Sequence, residues 1–167
     1  MISAMQELLI RNAELSDLDT LTALEELCFP PAEAASRDSF SLRLKRFPDC
    51  FWLAVSDENV VAMINGMPTN SCDLTDDMYS GASHYSPSGD WLMIFGVATH
   101  PQLQKHGAAS QLMDHVIEQM RKQKRKGIVL TCKKELLPFY SRFGFVSEGI
   151  SDSTHGNTAW YQMRLRL

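Results

Sequence analysis

The 167-residue sequence lacks the features that mark several large classes of protein. None of its four cysteines has the CxxC spacing or another spacing typical of a metal site. No apolar run approaches the roughly 20 residues that span a bilayer, and there is no internal repeat or low-complexity tract. The net charge of −4 argues against a nucleic-acid or anionic-membrane binder. We therefore expect no metal, no membrane and no nucleic acid as partners.

The first residues also lack the basic and apolar pattern of a secretion signal. We therefore expect Cys28, Cys50, Cys72 and Cys132 to be free thiols, and the protein to be cytoplasmic, because the cytosol is reducing. The composition, with 44% hydrophobic and 22% charged residues, is ordinary for a globular protein. A chain of this length most simply forms a single domain, residues 1–167.

Hydrophobic periodicity predicts an α/β (α+β) fold. Apolar residues at helical spacing predict helices over about 17–28, 36–47 and 107–123, and a short helix over 135–143. Apolar runs and alternating patterns predict the strands, the last of them over 159–167. The sum is a mixed central sheet of about six or seven strands flanked by helices on both faces.

The stretch 67–90 has no hydrophobic period and is rich in polar residues, glycine and proline. A loop of this length in a compact domain is usually functional or disordered. One interpretation is a solvated acidic loop, and the alternative is a lid whose carboxylates attract a cationic substrate. The ionisable residues in this stretch are Asp73, Asp76, Asp77, His84 and Asp90.

A small-residue loop follows the apolar strand that ends near Thr99. The pattern is Gln104-x-x-Gly107-x-Ala109-Ser110, and it opens the predicted helix. Gly107 allows the main chain to approach a ligand closely, and N–H groups at a helix start attract anions. The pattern therefore fits a diphosphate, and an ordinary strand–turn–helix corner is the alternative.

Two motifs in this order resemble the GNAT acetyltransferase superfamily. The strand and loop around Gln104-x-x-Gly107-x-Ala109 resemble its acetyl-coenzyme A (acetyl-CoA) loop. About thirty residues later, the sequence LPFYSRFGF over 137–145 resembles the tyrosine segment of the arylalkylamine (serotonin) N-acetyltransferase branch. The resemblance implies the GNAT acyltransferase fold. It also implies an N-acetyltransferase that uses acetyl-CoA, without a metal, to acetylate the primary amine of a small molecule.

The resemblance implies how the chain would hold acetyl-CoA. A strand backbone would run beside the pantetheine arm like an added strand, and the loop would hold the pyrophosphate through its N–H groups. The strand residues are Val97, Ala98 and Thr99. The loop residues are Gln104, Lys105, His106, Gly107, Ala108, Ala109 and Ser110.

Tyr140 is the catalytic residue that the resemblance implies. In the family, the tyrosine at this place lies near the thioester sulfur, and it is the candidate general acid. The alternative for Tyr140 is a core tyrosine that packs with Phe139 and Phe143. A phenol next to a leaving thiolate can supply the proton that the thiolate needs, and such help is typically worth roughly 10²–10⁴ in rate.

The acceptor site is less well defined by the resemblance. The loop that begins at Phe29 and Pro30 matches the mobile amine-pocket loop of the family in position and in apolar character. Met93 and Phe95 occupy the strand positions where the arylalkylamine branch keeps two histidines of a proton relay. Because neither side chain titrates, the general base is absent from its usual place.

His84 and Asp90 are the candidates to replace that base, because both lie in or beside the loop that leads into the strand. The alternative for His84 is a solvated loop histidine. The other histidines have positions typical of loops, helix surfaces or turns. Two other functions stay open: a protein acetyltransferase acting on an N-terminus or a lysine, and a non-catalytic acyl-CoA-binding module. The resemblance also allows a homodimer.

Overall fold

The computed structural model describes residues 8–167, and the side chains of residues 104–106 lie outside the described part. The strands are Leu9–Asn12 (β1), Phe51–Ser56 (β2), Asn59–Thr69 (β3), Trp91–Thr99 (β4), Gly127–Cys132 (β5), Val146–Ile150 (β6) and Tyr161–Arg166 (β7). The α-helices of this range are Leu18–Cys28 (α1), Arg37–Arg46 (α2), Ala108–Lys122 (α3) and Leu137–Ser141 (α4). The strands form one mixed sheet in the order β1-β2-β3-β4-β5-β7-β6, flanked by the helices. The predicted fold class is confirmed.

The chain divides into two compact units. The first consists of the residues up to Asn65 and of Gly96–Met113, and the second consists of Gly66–Phe95 and Asp114–Leu167. That residues 1–167 form one domain stays a prediction. In the described range, every helix is too short or too polar to cross a bilayer.

The first unit is built on the antiparallel strands β1, β2 and the start of β3. α1 and α2 bury their apolar sides in one cluster with β2, where the rings of Phe40 and Phe51 meet edge to face at 5.4 Å. Helix α2 begins at Arg37 because the Ser36 side chain accepts a hydrogen bond from the Ser39 N–H, as an N-cap does. Ala98 of β4 belongs to the same cluster.

The second unit contains the parallel pair β4–β5 and the antiparallel pairs β5–β7 and β6–β7. A buried guanidinium supports it. Arg164 in β7 lies 4.7 Å from the ring centroid of Trp91 and pairs with Glu148 at 2.8 Å and Asp73 at 2.7 Å. A buried arginine needs such partners, because an unpaired charge away from water is costly.

β3 is longer than the sequence predicts, so the loop predicted over 67–90 begins only at Asn70. Pro68 weakens the strand signal in the sequence. Met67 and Thr69 are nevertheless fully buried, and the Ser86 N–H donates to the Pro68 carbonyl at 3.0 Å. Burial and pairing from distant residues therefore override the local pattern.

The strand β6 lies at one end of the sheet order. Its pairing with β7 shifts register between Ser147 and Ile150, and Gly149 in this bulge has a φ of +90°. The side chains of Val146 and Ile150 are 66% and 68% exposed. β6 is thus an irregular edge strand with apolar side chains in solvent.

Candidate functional site

The pairing and the burial of β4 change part-way along its length. Its pairs with β5 run from Trp91–Gly127 to Ile94–Leu130. The residues up to Ile94 are buried, whereas Phe95, Gly96 and Val97 are partly exposed. β4 itself continues to Thr99. The strand therefore becomes accessible where the sequence places the start of the coenzyme segment.

A short turn and a glycine connect β4 to α3. The His100 ring accepts a hydrogen bond from the Gln102 N–H and so caps the 3₁₀ turn Pro101–His106. Gly107 follows in the left-handed conformation, with φ +72° and ψ +12°. A Cβ added there would meet no atom within 4 Å. Gly107 therefore leaves open space beside the backbone, which a ligand can use.

The helix α3 begins directly after this glycine. Its first helical bond runs from the Gln111 N–H to the Gly107 carbonyl at 3.0 Å. The N–H groups of Ala108, Ala109 and Ser110 precede it, and N–H groups at these positions find no acceptor within a helix. Together with the open space at Gly107, they fit an anionic diphosphate. The predicted roles of the Gln104, Lys105 and His106 side chains lie outside the described residues.

The end of α1 meets the end of β4 within the first unit. The Cys28 thiol donates a hydrogen bond to the Thr99 carbonyl at 3.2 Å, and burial raises the pKa of this thiol. Phe29 packs against the cluster that contains Ala98, while Pro30 is exposed. The predicted amine-pocket loop therefore starts beside the predicted coenzyme strand.

A buried carboxylate fixes that loop. Glu25 in α1 is 6% exposed, and its Oε2 accepts the Ala35 N–H at 2.8 Å. Glu25 therefore ties the end of the loop, just before α2, back to α1. The loop also contains a turn in which the Glu33 N–H donates to the Pro30 carbonyl at 2.9 Å.

Tyr140 lies in α4, just after the carboxyl end of β5, and is 5% exposed. Its ring packs edge to face with Phe139 at 5.0 Å and Phe145 at 5.9 Å. Burial, together with the nearby Cys132 thiol, raises the pKa of the Tyr140 hydroxyl far above its usual range. Tyr140 is therefore both packed in the core and held protonated, so the two interpretations from the sequence do not exclude each other.

An aromatic cluster lies at the same end of β5. The Tyr79 ring lies 5.0 Å from Phe95 and stacks on His155 at 5.7 Å, with an angle of 8° between the planes. The Tyr79 hydroxyl is 3.2 Å from the Thr131 hydroxyl. The Trp160 ring lies 6.1 Å from His155 on the chain that returns to β7. We call the four rings of Tyr79, Phe95, His155 and Trp160 the aromatic cluster.

Met93 differs from Phe95 in its exposure. Its side chain is completely buried, and the Met93 carbonyl lies against the backbone of Gly66, where an added Cβ would come within 2.3 Å. Phe95 is partly exposed and contacts Tyr79. Of the two strand positions assigned to the acceptor, only Phe95 is partly exposed.

His84 forms a hydrogen-bonded group within its own loop. Its Nε2 lies 2.7 Å from Asp77 Oδ2, and its Nδ1 lies 3.4 Å from the Ser71 hydroxyl. Hydrogen bonds from Thr75 and from His84 hold the pKa of Asp77 below its usual range. The role of His84 as a substitute general base stays a prediction.

The other aspartates of the loop are also paired within the second unit. Asp73 bonds Arg164, Asp76 accepts the Ser153 hydroxyl at 2.6 Å, and Asp90 lies 3.4 Å from Lys126. Asp73 and Asp76 hold the loop to β7 and to the chain before it, and Asp90 holds it to the chain just before β5. Part of the loop also borders a cavity of about 370 Å³. The acidic residues around that cavity are Asp73, Asp76, Glu148 and Asp152.

The family model of the acetyltransferase (GNAT) family matches residues 18–145. The chain belongs to this family. Two curated relatives come from Bacillus subtilis (strain 168). The chain is 23% identical over 134 residues to the probable hydrolase YhcX, covering 75% of this chain and 26% of that protein. It is 24% identical over 124 residues to the uncharacterized N-acetyltransferase YkwB, covering 68% of this chain and 55% of that protein. It thus spans about a quarter and about half of the lengths of these relatives.

Solved GNAT structures share the fold over nearly the whole chain. The loading GNATL domain of CurA from Lyngbya majuscula is 14% identical, with a TM-score of 0.83 and coverage of 96% of this chain and 98% of that one. The GphF GNAT-like decarboxylase in complex with isobutyryl-CoA is 20% identical, with a TM-score of 0.79 and coverage of 95% and 98%. The GNAT fold predicted from the sequence is confirmed. The arylalkylamine branch stays a prediction.

The main feature of this GNAT chain that the sequence does not predict is the contact between the rings of Tyr79 and His155. The sequence suggested an apolar anchor and a turn histidine, respectively. Their stacking joins two loops that lie about 75 residues apart, so no local periodicity signals it. The expectation that no metal site is present is untested, although the described residues contain no His, Cys, Asp and Glu group that could hold an ion.

Two buried groups that can lose a proton, the thiol of Cys132 and the hydroxyl of Tyr140, make the stability of this GNAT chain depend on pH. Burial raises the pKa of the Cys132 thiol from 9.0 to about 11, and the pKa of Tyr140 is raised as well. Both groups hold their protons more tightly in the folded state. Their contribution is therefore constant below about pH 9 and is lost as the pH rises toward the folded pKa values. We expect the free energy of unfolding, measured with urea, to fall above about pH 9, and to fall less steeply in Cys132→Ala. Equal slopes would contradict the assignment.

Proposed function

We propose that this chain is an acetyl-CoA-dependent N-acetyltransferase that acetylates a primary amine of a small molecule. The observation that carries the proposal is the segment from Val97 to Ser110 in a GNAT chain. It combines an accessible strand, a left-handed glycine with open space beside it and the start of a helix. These features fit a pantetheine arm followed by a diphosphate.

Different residues of the segment would bind different parts of the coenzyme. The N–H groups of Ala108, Ala109 and Ser110 would hold the diphosphate, and Gly107 would let it approach the backbone. The strand backbone at Val97–Thr99 would pair with the pantetheine amides. A backbone N–H near Val97 would donate to the acetyl oxygen as negative charge develops there, as in other oxyanion holes.

Acetyl-CoA would supply an acetyl thioester that an amine can attack directly. Tyr140 would then act at the leaving sulfur. Because burial keeps its pKa high, the hydroxyl carries its proton throughout the neutral range and is available as a donor. The raised pKa also makes it a weaker acid, so it would first donate a hydrogen bond to the sulfur and release the proton as charge builds up there.

The loop between β3 and β4 in the second unit supports a small acceptor. The loop contacts Phe95 through Tyr79, and it is tied down by Asp73 to Arg164 and by Asp76 to Ser153. A loop that is tied down beside Phe95 in this way suits a small amine better than an extended peptide. Aromatic side chains there would suit an apolar body attached to the amine.

The test is an acetyl-transfer assay with a panel of acceptors. The panel contains 2-phenylethylamine, tryptamine, spermidine, a peptide with a free N-terminus and a peptide with an internal lysine. Released coenzyme A is measured with a thiol reagent, and the products are identified by mass spectrometry. We expect turnover with at least one small amine and none with the peptides.

Each other outcome points elsewhere. Turnover confined to a peptide would show a protein acetyltransferase. Calorimetric binding of acetyl-CoA without transfer to any acceptor would show a non-catalytic binding module. Isobutyryl-CoA in place of acetyl-CoA measures the selectivity for the acyl group. The absence of binding to either thioester would refute the coenzyme assignment itself.

A further inference from the structure

The acceptor amine must lose a proton before it can attack. An alkylammonium has a pKa of about 10, so only about one molecule in a thousand is neutral at pH 7. Histidine is the side chain whose ordinary pKa suits a base at this pH. The chain has five histidines, and the side chain of His106 lies outside the described residues. The remaining four can be compared by position.

His155 lies at the end of the sheet where the pairing of β4 with β5 ends. The loop between β6 and β7 is closed by a hydrogen bond from the Ser151 N–H to the Trp160 carbonyl at 2.7 Å. It leads into β7, whose first residue, Tyr161, pairs with Cys132 at the carboxyl end of β5. Ligands of α/β proteins bind beyond the carboxyl ends of parallel strands. The loop therefore places His155 at the end of the sheet where a substrate is expected.

The aromatic cluster fixes the His155 ring. Tyr79 stacks on one face with its plane only 8° away, and Trp160 donates its indole N–H to the His155 carbonyl at 2.6 Å. The same Tyr79 ring touches Phe95 on β4. Phe95 directly precedes Gly96 and Val97, where the strand becomes accessible. The His155 ring is thus stacked on Tyr79, which also touches the partly exposed Phe95 of β4.

The other described histidines have different surroundings. His84 is engaged with Asp77 and Ser71 in its own loop, and His100 caps a turn. His115 lies on α3, in which the apolar residues are the buried ones, and it is itself partly exposed.

We propose that His155 is the general base of the acetyl transfer, a proposal that rests on the proposed function. The N–H bond of the substrate ammonium breaks, its electron pair stays on the amine nitrogen, and the proton bonds to the His155 ring. The ring later releases the proton to solvent. The charged and titratable groups around it are Tyr79 from the turn at 76–79, Lys133 against Trp160, and Asp76, which bonds Ser153 and Thr154.

The experiment measures kcat/KM of His155→Gln from pH 6.5 to about 9.5, with the panel amine that the wild-type protein uses best. We expect a loss of about tenfold at pH 7 that shrinks to less than threefold at about pH 9.5, because solvent then deprotonates the amine. Acetyl-CoA affinity and the melting temperature should stay within error. His115→Gln is the matched control and should keep wild-type kcat/KM at each pH.

Two results would overturn the proposal. One is a loss that is the same at every pH, which would show a structural role for His155. The other is an unchanged His155→Gln, and a pH-dependent loss in His84→Gln would then assign the base to His84. In both cases the wild-type turnover still supports the proposed acetyltransferase. Its absence with every amine would instead remove the proposed function, and this inference with it.

Discussion

Replacing Gly107 with tryptophan should lower the affinity for acetyl-CoA at least a hundredfold, by about 3 kcal/mol or more. The glycine has a φ of +72°, and an added Cβ meets no protein atom within 4 Å. A large side chain there would fill the space that we assign to the diphosphate, and it would not displace the core. Isothermal titration calorimetry with acetyl-CoA measures the effect.

The matched control for this variant is Gly149→Trp. Gly149 also has a positive φ, +90°, and open space around it, but it lies in the β6 bulge outside the coenzyme segment. Both substitutions place a side chain in the left-handed region, which costs about 1–2 kcal/mol. Thermal unfolding should therefore show similar destabilisation, while only Gly107→Trp loses the coenzyme. Intact affinity in Gly107→Trp would refute the loop assignment.

Removing the hydroxyl of Tyr140 should lower kcat ten- to a hundredfold while acetyl-CoA binding stays near normal. Phenylalanine keeps the ring that packs with Phe139 and Phe145, so Tyr140→Phe tests the hydroxyl separately from the packing. Loss of a general acid is typically worth roughly 10²–10⁴ in rate, and water can replace part of this. Steady-state kinetics with the best amine, alongside calorimetry, separates the two quantities.

Tyr161→Phe provides the control for that experiment. Tyr161 is the register partner of Cys132, the same β5 residue whose thiol acts on the pKa of Tyr140. We assign no catalytic role to it, so kcat should change less than twofold. Unchanged turnover in Tyr140→Phe would remove Tyr140 from the mechanism and leave it a core tyrosine.

Much of the fold could be predicted because its signals are local. The apolar spacing of α1 and α3 and the apolar run of β4 follow from burial of one face or of both. The predicted end of β3 is wrong, since Pro68 disturbs the pattern and the hydrogen bond from the distant Ser86 N–H to the Pro68 carbonyl leaves no local signal. Local patterns identify an element better than they locate its end.

The same difference between local and long-range signals applies to the candidate site. The small residues around Gly107 predict a loop that opens a helix, and the structure has the helix start there, preceded by a left-handed glycine. The stacking of Tyr79 on His155 and the pairing of Asp73 with Arg164 join residues that lie far apart in the sequence. Periodicity carries no information on such pairs, so the partners of the acidic loop could not be predicted.

The bulge in β6 has a consequence for the behaviour of the protein at high concentration. A regular edge strand with exposed apolar side chains is a template onto which another chain can add a strand, the first step of aggregation. In β6 the register shift and the left-handed Gly149 interrupt the row of backbone donors and acceptors between Ser147 and Ile150. A strand from another molecule could align with only part of this edge. Val146 and Ile150 can therefore stay in solvent without making this edge a site of aggregation.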